Sequence, residues 1–162
     1  MVHMQLQYTY MDSPVGQLLL AGEGEILNYL SFPTGKMAIK PAPDWTFYRP
    51  AFKQARQQIE AYFAGQRKQF DLALAPHGTV FQMQVLAALQ HIPFGQTYSY
   101  QDIAQAIGRP KAMRAVGAAN GRNPIPIIIP CHRVVGADGS LTGFGGGLDT
   151  KAFLLRLEGA IS

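Results

Sequence analysis

The chain's only cysteine, Cys131, follows Pro130 and is followed at once by His132 and Arg133. A thiol attacks as its thiolate, and free cysteine has a pKa near ~8.5, so displacement chemistry at neutral pH needs a base and positive surroundings. His132 can take the proton, directly or through a water, and a carboxylate beyond it would hold the imidazole in the required tautomer. Glu158 is the candidate for that carboxylate. A glycine-rich stretch at residues 143–147 follows, in which backbone can approach a planar ligand closely. The competing readings are a small buried hydrophobe for Cys131, a satisfied structural histidine for His132 and a helix-end surface charge for Glu158.

A single cysteine excludes an internal disulfide and a cysteine-rich zinc site, and His3, His77, His91 and His132 lack metal-ligand spacing. No metal and no cofactor are expected. The first residues, MVHMQLQYTYM, carry no basic start followed by an apolar run, and no stretch approaches the roughly 20 apolar residues of a membrane span. The expectation is a soluble, cytoplasmic monomer with no membrane partner. The net charge of +4 permits an anionic partner, and its placement says more than its size. Arg109, Lys111, Arg114, Arg122 and Arg133 fall between positions 100 and 133 with Asp102 as the sole acid, which marks a basic face.

The elements that must position these groups follow from periodicity. Residues 4–10 alternate, and two apolar runs within residues 17–32 flank Gly22, Glu23 and Gly24, predicting a hairpin and a small antiparallel sheet. Residues 33–50, punctuated by Pro33, Gly35, Pro41, Pro43 and Pro50, read as an irregular surface connection. A helix then begins with Pro50 in its first turn, repeats Phe52, Ala55, Ile59, Tyr62 and Phe63, stops at Gly65 and covers the sheet. Residues 72–78 form the expected boundary between an N-terminal domain, 1–76, and a mostly helical C-terminal domain, 77–162.

Thr79 and Gln82 predict a capping box before a helix that buries Val85, Leu86 and Leu89 and ends near Pro93. Ser99 and Asp102 predict another, with Ile103, Ala104 and Ile107 as the apolar stripe. Pro110 opens a second short helix over residues 111–121, and the pair has the pattern of a helix-turn-helix, or of a plain helical hairpin in a core. Residues 123–130 contain three prolines and four isoleucines and read as a rigid, buried, extended segment that delivers Cys131. Residues 150–158 close the chain as a helix burying Phe153, Leu154 and Leu157.

The run IPCHRV at residues 129–134 resembles the active-site signature of the O6-alkylguanine-DNA alkyltransferases. The resemblance extends from about Thr79 to Gly159, through RAVG at 114–117, Asn123 and Pro124, the glycine-rich loop, and Leu154, Leu155, Glu158 and Gly159. It implies an α+β fold, with a small ribonuclease H-like sheet and helix followed by a helical domain carrying the helix-turn-helix. It further implies a single-turnover DNA-repair transferase that moves the alkyl group of O6-alkylguanine in double-stranded DNA irreversibly onto Cys131, with O4-alkylthymine left open as a substrate. His132 would take the thiol proton through a water, Glu158 would orient His132, Asn123 would tie the helix-turn-helix to the active-site strand, and Tyr100 would donate to the leaving guanine. Arg114 would fill the stack after the nucleotide flips out, beside Lys111, Ala112 and Met113 in the groove, where Ala115 and Ala119 also permit close approach. Backbone groups of Cys131, Val134 and Gly145 would read the base, with Phe144 in the pocket wall. Met113 and Phe144 depart from the family pattern, which favours a small residue and a tyrosine there.

Two other classes compete. A helix-turn-helix module could bind alkylated DNA without reacting, although the lesion binders of this kind lack the cysteine that is kept here. A thiol hydrolase would use a Cys–His pair, but such partners are usually distant in sequence, not adjacent.

Overall fold

The computed structural model describes residues 5–162; the Met4 start expected for the first strand lies outside them. The N-terminal half is built on β1 (Gln7–Met11), β2 (Leu18–Glu23) and β3 (Ile26–Ser31), joined antiparallel in the order β3-β2-β1, with the hairpin where the glycines predict it. The sheet is mixed, however. A short β4 (Thr46–Phe47) adds to β1 in parallel, inside the stretch expected to be irregular. Its cause is aromatic: Phe47 stacks on Tyr8 at 5.5 Å, and Trp45 on Tyr29 at 5.5 Å, which holds this connection against the outer face of the sheet.

Helix α1 (Lys53–Phe63) starts later than Pro50, because Phe52 takes a left-handed backbone (φ 58°) that turns its ring fully into the core. Gly65, at φ 74°, ends it. Phe52, Ala55, Ile59 and Tyr62 share one hydrophobic cluster with Leu18, Leu20 and Leu27 of the sheet. The same cluster continues through Val85, Leu89, Ile103 and Val116 of the C-terminal helices, so the two halves have a common core. Residues 72–78 do not simply link them: Leu74 bridges Leu27 in parallel at the edge of β3.

Both predicted capping boxes form, at Thr79 for α2 (Val80–Leu89) and at Ser99 for α3 (Tyr100–Ala106). Helix α4 (Met113–Gly121) begins after Pro110 and Lys111, with Ala112 as its cap residue, and packs on both α2 and α3. Two-residue strands β5 (Tyr98–Ser99) and β6 (Val134–Val135) pair in parallel. They tie the start of the helix-turn-helix to the segment after Cys131. Helix α5 (Leu148–Leu157) buries Leu154 and Leu155 as well as Lys151, whereas Phe153, expected inside, is 37% exposed against Phe63. No helix among the described residues is long and apolar enough to cross a membrane.

Candidate active site and DNA-facing helix

The segment at 123–130 is buried, as its isoleucines demand, but it is coiled, not extended. Ile129 N–H donates to Ile125 O at 3.0 Å, and Ile127 adopts φ 73°. A β-branched residue in that region carries about 1–3 kcal/mol of strain. Complete burial of Ile125 and Ile129 around it offsets this strain by fixing the chain. Prolines at 124, 126 and 130 forbid a helix, and with every isoleucine needing cover the compact coil buries more apolar surface than a strand would. Cys131 then opens a single 3-10 turn, Cys131–Arg133, that leads into β6.

Polar side chains from the end of α4 and the residues just after it hold this turn. Asn123 Nδ2 donates to Ile129 O at 2.7 Å while its Oδ1 accepts from Ile125 N–H at 3.0 Å. Asn120, which the sequence did not single out, donates from Nδ2 to the carbonyl of Cys131 itself at 3.3 Å. The helix-turn-helix is thus fastened to the backbone of the cysteine.

Around His132 the structure assembles a buried charged cluster. Glu158, the cap residue of α5, accepts from His132 Nε2 at 2.7 Å, from Arg133 Nε at 2.8 Å and Nη2 at 3.1 Å, and from the Tyr62 hydroxyl at 2.6 Å. Burial pushes the Glu158 carboxyl up, but the hydrogen bonds from His132 and Arg133 outweigh it and bring the group down to about 2. It is therefore a carboxylate that can only accept, which places the proton on His132 Nε2 and leaves Nδ1 as the ring's lone pair. His132 Nδ1 is buried and has no partner among the described residues. Burial lowers the His132 pKa against the pull of Glu158, so the ring rests neutral and basic at Nδ1. Burial likewise raises the Tyr62 hydroxyl well above its ordinary value, keeping it a donor. Arg133 leaves the expected basic face: it is 6% exposed, its Nη1 donates to Ile92 O at 2.7 Å, and its charge is spent on Glu158.

Cys131 is 4% exposed but borders a cavity of about 70 Å³ walled by Pro126, Phe144, Gly145 and Gly146 from the C-terminal half and by Phe32 and Met37 from the N-terminal half. Burial pushes its thiol up, to about 11, opposed by the Asn123 side chain and by the charge of Lys151. Lys151 is a second functional candidate without a sequence signal. Fully buried, it donates from Nζ to Val134 O at 2.6 Å and to Thr142 O at 2.9 Å, so the Val134 carbonyl is occupied. Burial lowers its pKa to about 8, which leaves it charged at neutral pH. The Tyr100 hydroxyl, half-buried, meets Thr142 Oγ1 at 2.8 Å. It therefore stands beside the strand end that Lys151 braces.

On α4 and the turn before it, Lys111, Met113, Arg114, Ala115 and Ala118 are exposed and Ala112 is half-buried, whereas Ala119 is in the core and does not belong to the outer face. That face carries two long cations, Lys111 and Arg114, among small residues and a thioether.

The chain matches two family models, 6-O-methylguanine DNA methyltransferase, ribonuclease-like domain, over residues 6–76, and its DNA binding domain over residues 80–160. A methylated-DNA–protein-cysteine methyltransferase of Methanosarcina acetivorans is 54% identical over 96% of this chain and 99% of the relative. One of Mycobacterium tuberculosis is 50% identical over 94% of this chain and 92% of the relative. Among solved structures, M. tuberculosis OGT in complex with DNA superposes with a TM-score of 0.90 at 49% identity, covering 95% of this chain and 93% of that one. With both halves matched and nearly the whole length shared, the chain belongs to the 6-O-methylguanine DNA methyltransferase family.

Proposed function

We propose that Cys131 is the acceptor in a direct, single-turnover repair reaction on O6-alkylguanine in duplex DNA. As a member of its family the chain is a DNA-repair methyltransferase that carries an alkyl group from DNA to a protein cysteine. The observation that carries the assignment to this site is the Glu158–His132 pair next to the chain's one cysteine, with Nδ1 left as a free base at neutral pH.

In the reaction, Cys131 Sγ attacks the alkyl carbon; the S–C bond forms as the bond from that carbon to O6 breaks. The thiol proton passes through a water to His132 Nδ1, and the imidazolium so formed is stabilised by the Glu158 carboxylate. The guanine departs with the electron pair of the broken bond and takes a proton from the Tyr100 hydroxyl. Lys151 lowers the cost of the thiolate by its nearby charge and stiffens the wall through Val134 and Thr142. A base in a duplex cannot reach a buried thiol, so the nucleotide must leave the stack. Arg114, with Lys111, Ala112 and Met113, forms the groove-facing surface that permits this. A thioether that cannot be reversed by any group in the site ends the protein's activity after one event. The protein acts as a cytoplasmic monomer on double-stranded DNA.

Intact mass spectrometry after incubation with duplex DNA carrying O6-methylguanine tests the proposal. One methyl gained per chain is expected, and none in Cys131→Ala. Binding without a mass change would point to a non-reacting lesion binder, and methyl release over many turnovers to a hydrolase; either outcome overturns the assignment.

A further inference from the structure

We infer that the size of the alkyl group accepted is set from the N-terminal half, by Met37 acting as a movable stop on the loop that roofs the Cys131 cavity. The inference rests on the reading of Cys131 as the alkyl acceptor.

The loop leaves β3 at Ser31 and returns at Ile39, whose N–H donates to Ser31 Oγ at 2.9 Å. Ser31 is buried and its hydroxyl donates in turn to Phe32 O at 2.9 Å, so the neck of the loop is closed by a buried polar knot. From that fixed base the loop lies directly on the glycine-rich loop of the C-terminal half. A Cβ on Gly35 would fall 1.9 Å from Gly145 O, one on Gly145 would fall 2.9 Å from Met37 Cβ and Cγ, and one on Gly146 would fall 2.6 Å from the Phe32 ring. The glycines at 145 and 146 thus give the N-terminal roof room to touch the wall of the thiol cavity, a role distinct from admitting a ligand.

The walls of this cavity differ in how far they can yield. Pro124 and Pro126 are rings in a buried coil, and Gly145 and Gly146 are bare backbone. Phe32, 6% exposed, is locked against Phe144 at 5.6 Å between centroids. Met37 alone combines a place in the lining with substantial exposure, 37%, on an unbranched side chain of three torsions. It can swing into solvent without opening a void in the core. The cavity beside the thiol is small, about 70 Å³. A methyl group is a single carbon, whereas a benzyl group adds a six-membered ring and must displace Met37.

Single-turnover transfer to Cys131 from duplexes carrying O6-methylguanine and O6-benzylguanine, followed by intact mass, gives the benzyl-to-methyl rate ratio. A methylene more or less in a fitted pocket changes discrimination by roughly tenfold or more. Met37→Ala is expected to raise the ratio about tenfold, and Met37→Trp to lower it by a similar factor. An unchanged ratio in both variants, with methyl transfer seen in the parent chain, overturns this inference and leaves the acceptor assignment standing. Absence of methyl transfer in the parent chain overturns both.

Discussion

Replacing Glu158 with alanine is expected to lower the unfolding free energy by about 3–5 kcal/mol, the cost of leaving a buried ion-pair partner uncompensated. The Arg133 guanidinium would keep only its bond to Ile92 O, and the Tyr62 hydroxyl and His132 Nε2 would lose their acceptor at the same time. Urea unfolding at neutral pH measures this. The charge-free pair Glu158→Leu with Arg133→Met should cost clearly less than the sum of the two single changes, because no isolated ion remains in the interior. Additive losses would mean that the two groups are not coupled. The pH dependence has a definite sign. The Glu158 carboxyl sits at about 2 in the folded chain, below the ordinary glutamate value near ~4.3, so its contribution is complete above the latter and is lost as pH falls toward about 2. Parent and Glu158→Ala stabilities should therefore converge on acidification over that window. A gap of constant width down to pH about 2 would count against a charged Glu158.

Arg114→Ala is expected to slow alkyl transfer from duplex DNA about 10- to 100-fold, since a side chain stacked on bases is worth roughly 1–3 kcal/mol. The residue stands exposed at the second position of α4, and its guanidinium makes no hydrogen bond among the described residues. A planar cation free of internal partners can both occupy the gap of an extruded nucleotide and hold phosphate. The free base O6-methylguanine needs no extrusion, so its reaction with Cys131 should be changed by less than about twofold by the same substitution. Rates for both substrates, taken at one salt concentration because phosphate contacts are salt-dependent, decide the matter. Equal slowing would remove the proposed flipping role and assign Arg114 to general folding or to the thiol.

Much of the scaffold was legible before any coordinates because its signals are local. Thr79 with Gln82 and Ser99 with Asp102 need only their own turns to form capping boxes, and the glycines between β2 and β3 need only their own hairpin. The family signature likewise lies within a few residues of Cys131. What escaped depends on partners far away in the chain. Glu158 meets Tyr62 across 96 residues, and a lysine at position 151 of an amphipathic helix carries no mark of being fully buried. Charge alone places Arg133 with the solvated cations and cannot reveal that a carboxylate 25 residues on draws it inside. The coil at 123–130 is not legible in its sequence, because proline excludes helix without choosing among the remaining shapes. The pairing of β4 likewise depends on aromatic contacts with β1 and β3 that no alternation within residues 33–50 announces.

The short parallel ladder of Tyr98 with Val134 and Ser99 with Val135, together with the Asn120 strut to the Cys131 carbonyl, fastens α3 and α4 to the segment that carries the sulfur. With α4 seated on a duplex as proposed, lesion search would be a go/no-go trial in a single pose, with one nucleotide at a time in register with the thiol. Scanning speed would then be governed by how quickly the whole molecule steps from one register to the next.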